Sequence, residues 1–447
     1  FNNLYISYLI SAQVLSVLSY LVFHGNSRIF PAFIPFFPEK PAVPPLTHPF
    51  AVLYHNKVRI QSDMKRRITM SINLIATTTF GLEAVVKREC QALGFENIKT
   101  SDGKVEFTGT EADIVKANMW LRCAGRVWVK MGTFKAVTFT ELFDQTKALP
   151  WADWIPEDGK FTVVGKSVKS TLFSVSDCQA IVKKAVVEKL KQTYHTDWFD
   201  ETGASYTIQV GILKDVVTLA IDTSGSGLHM RGYRANALDA PLKETLASAM
   251  IQLSYWRKNR ILLDPFCGSG TIPIEAAMIA RNIAPGIDRK FASEGWERIG
   301  KDLWKKARVE AYQAIDYDVM PEIYGSDIDP DAIELAKANA EKAGVDDCIT
   351  FEVKPCQEIV LPGKYGVMIT NPPYGERIGE LKEVENMYRA LGGIMKENPT
   401  WSTYLITSME YFESLFGRKA DRKRKLFNGR IKTDYYQFEG PRPPKNL

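Results

Sequence analysis

The chain has 447 residues, 45% of them hydrophobic and 24% charged, which excludes a disordered or fibrous polypeptide and predicts two or three globular domains. Its net charge of +5 is confined to residues 1–69, with seven Lys/Arg against two Asp/Glu; the remaining 50 basic and 50 acidic residues balance. Any polyanion must therefore be held by local patches and not by a global field. The six cysteines form no CxxC pair and the five histidines show no metal-ligand spacing, which argues against a disulfide framework or a zinc site and fits a reducing, cytoplasmic setting.

Residues 1–69 begin with Phe1 and carry LYISYLISAQVLSVLSYLVF (4–23), close to the length of a membrane span. Five of those twenty residues are Ser or Gln, no basic stretch precedes them, and a proline-rich run follows. The segment reads as an extension outside the fold, with a start near Met64 or Met70; a targeting segment or an anchor are the other readings. No membrane contact is expected for residues 70–447.

From Met70 the pattern becomes periodic. SINLIATTT reads as a strand, GLEAVVKRECQALG as an amphipathic helix, NIKTSDGKVEFTG as a hairpin turning at Asp102-Gly103, EADIVKANMWLR as a helix and RVWVKMGTFKA as a strand. This β-α-β-β-α-β order predicts a ferredoxin-like unit over 70–132. TFTELFDQTKAL (helix), KFTVVGKSVKS (strand), a long helix SDCQAIVKKAVVEKLKQTY and the strands SYTIQVGIL and VVTLAIDTSG predict a second small α/β module over 133–224. The long helix carries Lys183, Lys184, Lys189 and Lys191 on its exposed face, which the charge run alone reads as solvated. Over 225–447 apolar strands alternate with helices: RILLDPF, EIYGSDID, YGVMITNPP, STYLITS and KTDYYQF. Such alternation predicts a doubly wound, mostly parallel sheet with its ligand at the carboxyl ends of the strands.

Three strand ends carry chemistry. ILLDPFCGSGT (261–271) places Asp264, Gly268 and Gly270 between a strand and a helix; it is either a packing turn or a close backbone approach to a ligand. It lacks the third glycine of the dinucleotide fingerprint, and the next strand-ending acid, Asp327, lies 63 residues on, so nicotinamide cofactors are disfavoured. Cys267 has no neighbouring histidine in sequence to activate it as a nucleophile. In YGSDIDP (324–330), Asp327 can accept ribose hydroxyls and Ile328 can offer an apolar face to adenine, while Asp329-Pro330-Asp331 reads as a helix cap.

NPPY (371–374) ends the fourth strand. An exocyclic amine on an aromatic base is a poor nucleophile because its lone pair is delocalised into the ring. It becomes reactive when its hydrogens donate to two fixed acceptors, the amide oxygen of Asn371 and the carbonyl of Pro372, which the prolines hold rigid. Tyr374 can stack on the base and align its amine with a methyl donor. Asn-Pro-Pro alone can be a structural turn; its order after DPFCGSG and GSDID on alternating strands favours chemistry.

DPFCGSGT, GSDID and NPPYGERIG in this order resemble the S-adenosylmethionine-dependent amino-methyltransferases. LHMRGYRANALDAPLKETLASAMIQLSYW and ARNIAPGIDRKFASEGW are similar to the 23S ribosomal RNA guanine-N2 methyltransferase family, whose members carry a THUMP RNA-binding domain. The resemblance spans about 70–447. It implies a ferredoxin-like domain, a THUMP domain and a Rossmann-like methyltransferase domain over 225–447. It further implies S-adenosylmethionine as cofactor, with Asp264, Gly268 and Gly270 along its methionine part and Asp327 at its ribose. Asn371, Pro372 and Tyr374 would hold the target base. Where the class often shows an acid for the adenine amine, FEVKPCQEI (351–359) has Pro355, leaving backbone groups or Gln357. GRKADRKRKLFNGRIK (417–432) resembles the family's KLFNG segment, so Arg422, Lys423, Arg424 and Lys425, with Lys183 and Lys184, become candidate phosphate contacts or else a solvated edge. The sequence ends with KTDYYQFEGPRPPKNL, so a single methyltransferase domain is expected, where some members fuse a second. The implied partner is ribosomal RNA, with transfer RNA as the nearer competitor. N6-adenine methylation of DNA and a non-catalytic RNA-binding ribosome-assembly factor are the remaining readings.

Overall fold

The computed structural model describes residues 71–234, 242–375 and 381–444; the expectations for residues 1–69, and the ERIG of the NPPYGERIG motif, lie outside them. The described residues build two seven-stranded sheets. In the first, β1 (Ile72–Thr77), β2 (Glu96–Ser101), β3 (Lys104–Gly109), β4 (Arg126–Lys135), β5 (Lys160–Val168), β6 (Ser205–Leu213) and β7 (Val216–Asp222) lie in the order β2-β3-β1-β4-β7-β6-β5. Helices α1 (Glu83–Ala92), α2 (Glu111–Trp120), α3 (Phe139–Lys147) and α4 (Val175–Tyr194) complete the two small modules.

The modules share one sheet because β4 is long enough to serve both. Its residues Arg126–Val129 pair with β1, and Trp128–Lys135 pair with β7, with an irregularity between Lys130 and Gly132. The boundary expected at 132–133 therefore falls inside a strand. Among the described residues of this sheet, only β5 and β6 pair in parallel, joined by the α4 crossover.

The second sheet contains β8 (Leu262–Asp264), β9 (Ile323–Asp327), β10 (Ile349–Val353), β11 (Val367–Thr370), β12 (Ser402–Thr407), β13 (Arg422–Asn428) and β14 (Ile431–Phe438), in the order β10-β9-β8-β11-β12-β14-β13. Strands β8 to β12 are parallel; β14 and β13 are antiparallel additions. Helices α5 (Glu244–Leu253), α6 (Thr271–Ala280), α7 (Lys301–Gln313), α8 (Pro330–Ala343), α9 (Leu381–Glu397) and α10 (Phe412–Phe416) accompany it. Strand order reverses between β8 and β11, and a doubly wound sheet opens its ligand crevice at such a reversal.

Local chemistry explains the elements that frame that crevice. Helix α8 starts where Asp329 accepts from the Asp331 amide, with Pro330 in the first turn, and stops at Gly344 in the left-handed region. Strand β11 is buried throughout, as a central parallel strand requires. The basic run 422–425 forms β13, an edge strand; charge there protects an open edge from pairing with other chains.

The two sheets are locked together by buried polar and aromatic contacts. Arg231, in the segment that leaves the first sheet, pairs with Glu275 of α6 at 3.2 Å and donates to the Arg122 carbonyl at 2.6 Å. Arg122 in turn donates to the Ile283 carbonyl. Trp296 stacks on Tyr206 of β6 at 4.6 Å and meets Trp154 edge-on at 6.1 Å; such pairs add about 0.5–1.5 kcal/mol each beyond their buried area. Among the described residues, no helix is long and apolar enough to cross a membrane.

Candidate active site

Two cavities meet at the carboxyl end of β11. The first, about 640 Å³, is lined by the β8–α6 turn (264–269), Asp327 at the end of β9 and Ile328 just after it, 355–357 after β10, and Asn371 and Pro373. The second, about 1020 Å³, is lined by the whole Asn371–Tyr374 turn, by residues between 226 and 234, by Lys290 and by the β13–β14 hairpin tip. Asn371 and Pro373 line both.

Asp264 is buried at the end of β8. Burial pushes its carboxyl up to about 7 and the nearby Asp327 adds to the rise, against the opposing hydrogen bonds from Thr370 Oγ1 (2.6 Å) and the Phe266 amide (3.2 Å). The two glycines of the turn do different work. Gly268 has φ +50° and open space where a Cβ would stand, on the cavity side; a Cβ at Gly270, with φ +82°, would meet Ala336 and Phe351 at 3.1 Å. One glycine leaves room for a ligand and the other lets α6 pack.

Asp327 is already half engaged: Oδ2 accepts from the Gly268 amide at 2.9 Å and Oδ1 from the Asp329 amide at 3.1 Å. Those bonds fix its orientation, and each oxygen keeps a further lone pair for a ligand hydroxyl. Ile328 is 73% exposed and presents an apolar face to the first cavity. Gln357 and Pro355 lie on the same wall, with Gln357 exposed. The thiol of Cys267 is buried and its pKa is pushed well above the usual range by burial and by the two aspartates, so it is no thiolate nucleophile.

An S-adenosyl donor carries an ammonium, a ribose diol and an adenine. The first cavity offers a buried carboxylate, an oriented second carboxylate and an exposed apolar side chain, so the residues present fit that group. Sequence reasoning missed Glu383, Asn386 and Met387 of α9 on the same cavity. They are nine or more residues beyond the NPPY turn, and only the fold of α9 back over the sheet brings them there.

At the NPPY turn, the Tyr374 hydroxyl donates to Asn371 Oδ1 at 2.6 Å and receives a hydrogen bond from Asn428 Nδ2 at 3.2 Å. The Pro373 carbonyl accepts from Tyr388, which also bonds Thr407, so the turn is pinned to α9 and β12. Tyr374 therefore does not stand poised for stacking. It rests on the amide oxygen that the sequence assigns to a target amine, and an incoming amine must take over that acceptor. Asn428, within the KLFNG segment, was not singled out by sequence; it sits 54 residues away, at the hairpin tip. Asn428→Ala should lower methyl-transfer kcat about five-fold, the worth of one neutral hydrogen bond of about 1 kcal/mol, with donor affinity unchanged. Recovery by Asn428→Gln in single-turnover assays separates a positioning role from a general fold defect.

The basic candidates divide. Arg422 pairs with Glu439 at 3.5 Å, Lys423 with Asp434 at 3.1 Å, and Arg424 donates to the Gly81 carbonyl at 3.2 Å. Three of the four are thus engaged within the chain, and Lys425 alone stands clear on the exposed side. Lys183 and Lys184 are exposed on α4, Lys184 lying 6.0 Å from the Phe143 ring centroid. None of the six lines either cavity.

Comparison with known proteins agrees with this architecture. Family models match as the RlmL ferredoxin-like domain over residues 73–128, the THUMP domain over 136–222 and the RMKL-like methyltransferase domain over 231–437. YpsC of Bacillus subtilis (strain 168), which carries the name of an RNA methyltransferase, is 54% identical over 367 residues, 82% of this chain and 95% of that protein. A Listeria monocytogenes str. 4b F2365 structure, named for an N6-adenine-specific DNA methylase, is 50% identical with a TM-score of 0.81, covering 85% of this chain and 98% of its own. SMU.472, a methyltransferase by name and solved in complex with SAH, is 42% identical with a TM-score of 0.80, over 84% of this chain and 99% of its own. With a ferredoxin-like unit, a THUMP domain and a Rossmann-like domain in one chain, this protein belongs to the THUMP-domain-containing methyltransferase family.

Proposed function

We propose that the chain transfers a methyl group from S-adenosylmethionine to the exocyclic N2 amine of a guanosine in RNA, with 23S ribosomal RNA as the substrate. The observation that carries this reading is the shared wall: Asn371 and Pro373 border both cavities, so a donor in one and a base in the other face each other across the turn. Asp264 holds the donor's ammonium, Gly268 admits its methionine part while Gly270, expected beside it, packs against Ala336 and Phe351 instead, Asp327 holds its ribose, and Ile328 and Gln357 border its adenine. Asn371 Oδ1 and the Pro372 carbonyl accept the hydrogens of the target amine, and Tyr374, released from Asn371, stacks on the base. No general base is needed before transfer, because the proton leaves the methylated ammonium afterwards.

In duplex RNA the guanine amine is paired to cytosine and faces the minor groove, so the target must be unpaired or flipped out to reach this turn. RNA is favoured over DNA by the THUMP domain and by the name YpsC carries, whereas the Listeria protein is named for DNA adenine methylation. The test is mass spectrometry of nucleosides from ribosomal RNA, transfer RNA and DNA of a deletion strain. Loss of N2-methylguanosine from 23S RNA, restored by the intact gene, is expected. Loss from transfer RNA moves the substrate there, and loss of N6-methyladenine from DNA alone overturns the reading.

A further inference from the structure

The larger cavity has a charge imbalance that methyl transfer does not use. Six cations line it: Arg231, Arg234, Lys243, Arg289, Lys290 and Arg430. Two are neutralised, Arg231 by Glu275 and Arg234 by Glu244 at 3.1 Å. Among the described residues, Lys243, Arg289, Lys290 and Arg430 make no ion pair. Lys243, Lys290 and Arg430 are exposed, and they come from three separate places: the start of α5, the loop after α6 and the tip of the β13–β14 hairpin. Arg289 is buried beneath them and donates to the Ser226 and Gly227 carbonyls, which shapes the rim.

A solvated lysine on a convex surface reports nothing, but this potential is concentrated in a concavity. His229, half-buried in the same wall, has its imidazole pushed down to about 4 by burial and by the charges of Lys243, Arg231, Arg234 and Arg289. Cations that suppress protonation of a neighbour create a field that an anion would relieve. The floor of the concavity is the NPPY turn, so the anion must belong to the molecule that delivers the target amine.

We propose that Lys243, Lys290 and Arg430 grip the phosphodiester backbone of RNA on either side of the target nucleotide, while the base descends to Asn371–Tyr374. The proposal rests on the reading of the substrate as RNA, and it moves the local backbone contacts from the β13 run Arg422–Lys425 to the cavity rim. A cavity of about 1020 Å³ holds a nucleotide with its flanking phosphates. The rim is assembled partly from residues 226–234, which leave the THUMP strand β7, so an RNA held by that domain is led directly into the cavity.

The test compares the full wild-type chain with K243Q/K290Q/R430Q and with R422Q/K423Q/K425Q. Binding of a fluorescein-labelled single-stranded oligoribonucleotide of about 20 nucleotides is read by anisotropy across a salt series, and S-adenosylmethionine binding by calorimetry. The rim variant should bind the oligoribonucleotide on the order of 10–100-fold more weakly at about 0.1 M salt. Its log–log salt slope should be shallower by about 2, from three lost single-strand phosphate contacts. The β13 variant should stay within about three-fold of wild type, and donor affinity should be unchanged in both. Wild-type slope and affinity in the rim variant, or an equal loss in the β13 variant, overturns the rim assignment. A wild-type chain that methylates RNA guanosine beside an unaffected rim variant removes the rim and keeps the function. Weakened RNA binding in the rim variant beside a wild type that methylates no RNA keeps the rim and removes the function.

Discussion

Replacing Asn371 by alanine is expected to lower methyl-transfer kcat by about 10²–10³-fold, the loss associated with one preorganised polar group at a reacting centre, while donor affinity stays within about three-fold. The separation follows from geometry. Asn371 lies at the junction of the cavities and supplies only one of several residues to the donor wall, whereas its Oδ1 is the acceptor on which Tyr374 rests. Removing the side chain deletes the acceptor for the target amine and also the anchor of the tyrosine. Pro373 stays pinned by Tyr388 at 2.8 Å, so the turn itself should persist. Single-turnover transfer from radiolabelled S-adenosylmethionine, with calorimetric donor titration, measures both. Unchanged turnover would remove Asn371 from the assigned role.

The second large effect concerns Asp264→Asn. A native carboxyl held up near 7, against an ordinary value of 3.8, keeps its proton where the unfolded chain has lost it. Without donor, the native state therefore loses stability as pH rises from about 4 to about 7 and levels off above that. The asparagine variant carries no such penalty. It should unfold at higher denaturant than wild type at pH 8, by on the order of 2–4 kcal/mol, and the difference should vanish near pH 4. Donor binding should behave oppositely. An ammonium bound at Asp264 favours the carboxylate, so wild-type affinity should fall up to about ten-fold per pH unit below 7 and binding should release a proton above background. The variant should bind at least about 100-fold more weakly and lose the pH dependence. Denaturant melts and calorimetry in buffers of different ionisation enthalpy check each half; a pH-independent wild-type affinity would remove the ammonium from Asp264.

Much of the site was legible because its parts are local. DPFCGSG, GSDID and NPPY each sit at the end of one strand, where a short apolar run gives way to turn residues, and all three border the first cavity. Elements whose stability comes from packing were not legible. FEVKPCQEI shows no cofactor acid at Pro355, and its first three residues are the end of β10, a strand exposed along most of its length. The RKRKLFN run reads in sequence as a cluster of charge; it is the edge strand β13, with Lys423 and Arg422 paired to acids at β14 and just beyond it. Charged residues on a sheet edge lack the hydrophobic alternation that marks an inner strand.

Asn428 and the rim cations show the same limit at longer range. Lys243, Lys290 and Arg430 are 47 and 140 residues apart in sequence and meet only because α5, the loop after α6 and the β13–β14 hairpin converge on one concavity. The sequence by itself placed Asp264, Asp327 and Asn371 at strand ends that border one cavity, because strand-end motifs encode a backbone conformation that forms wherever the strand forms. Tertiary structure alone decided which acceptor Tyr374 occupies before substrate arrives, which basic residues remain unpaired, and where two cavities share a wall. Those depend on side chains far apart in sequence being brought within hydrogen-bonding or Coulombic reach, and no local pattern carries that information.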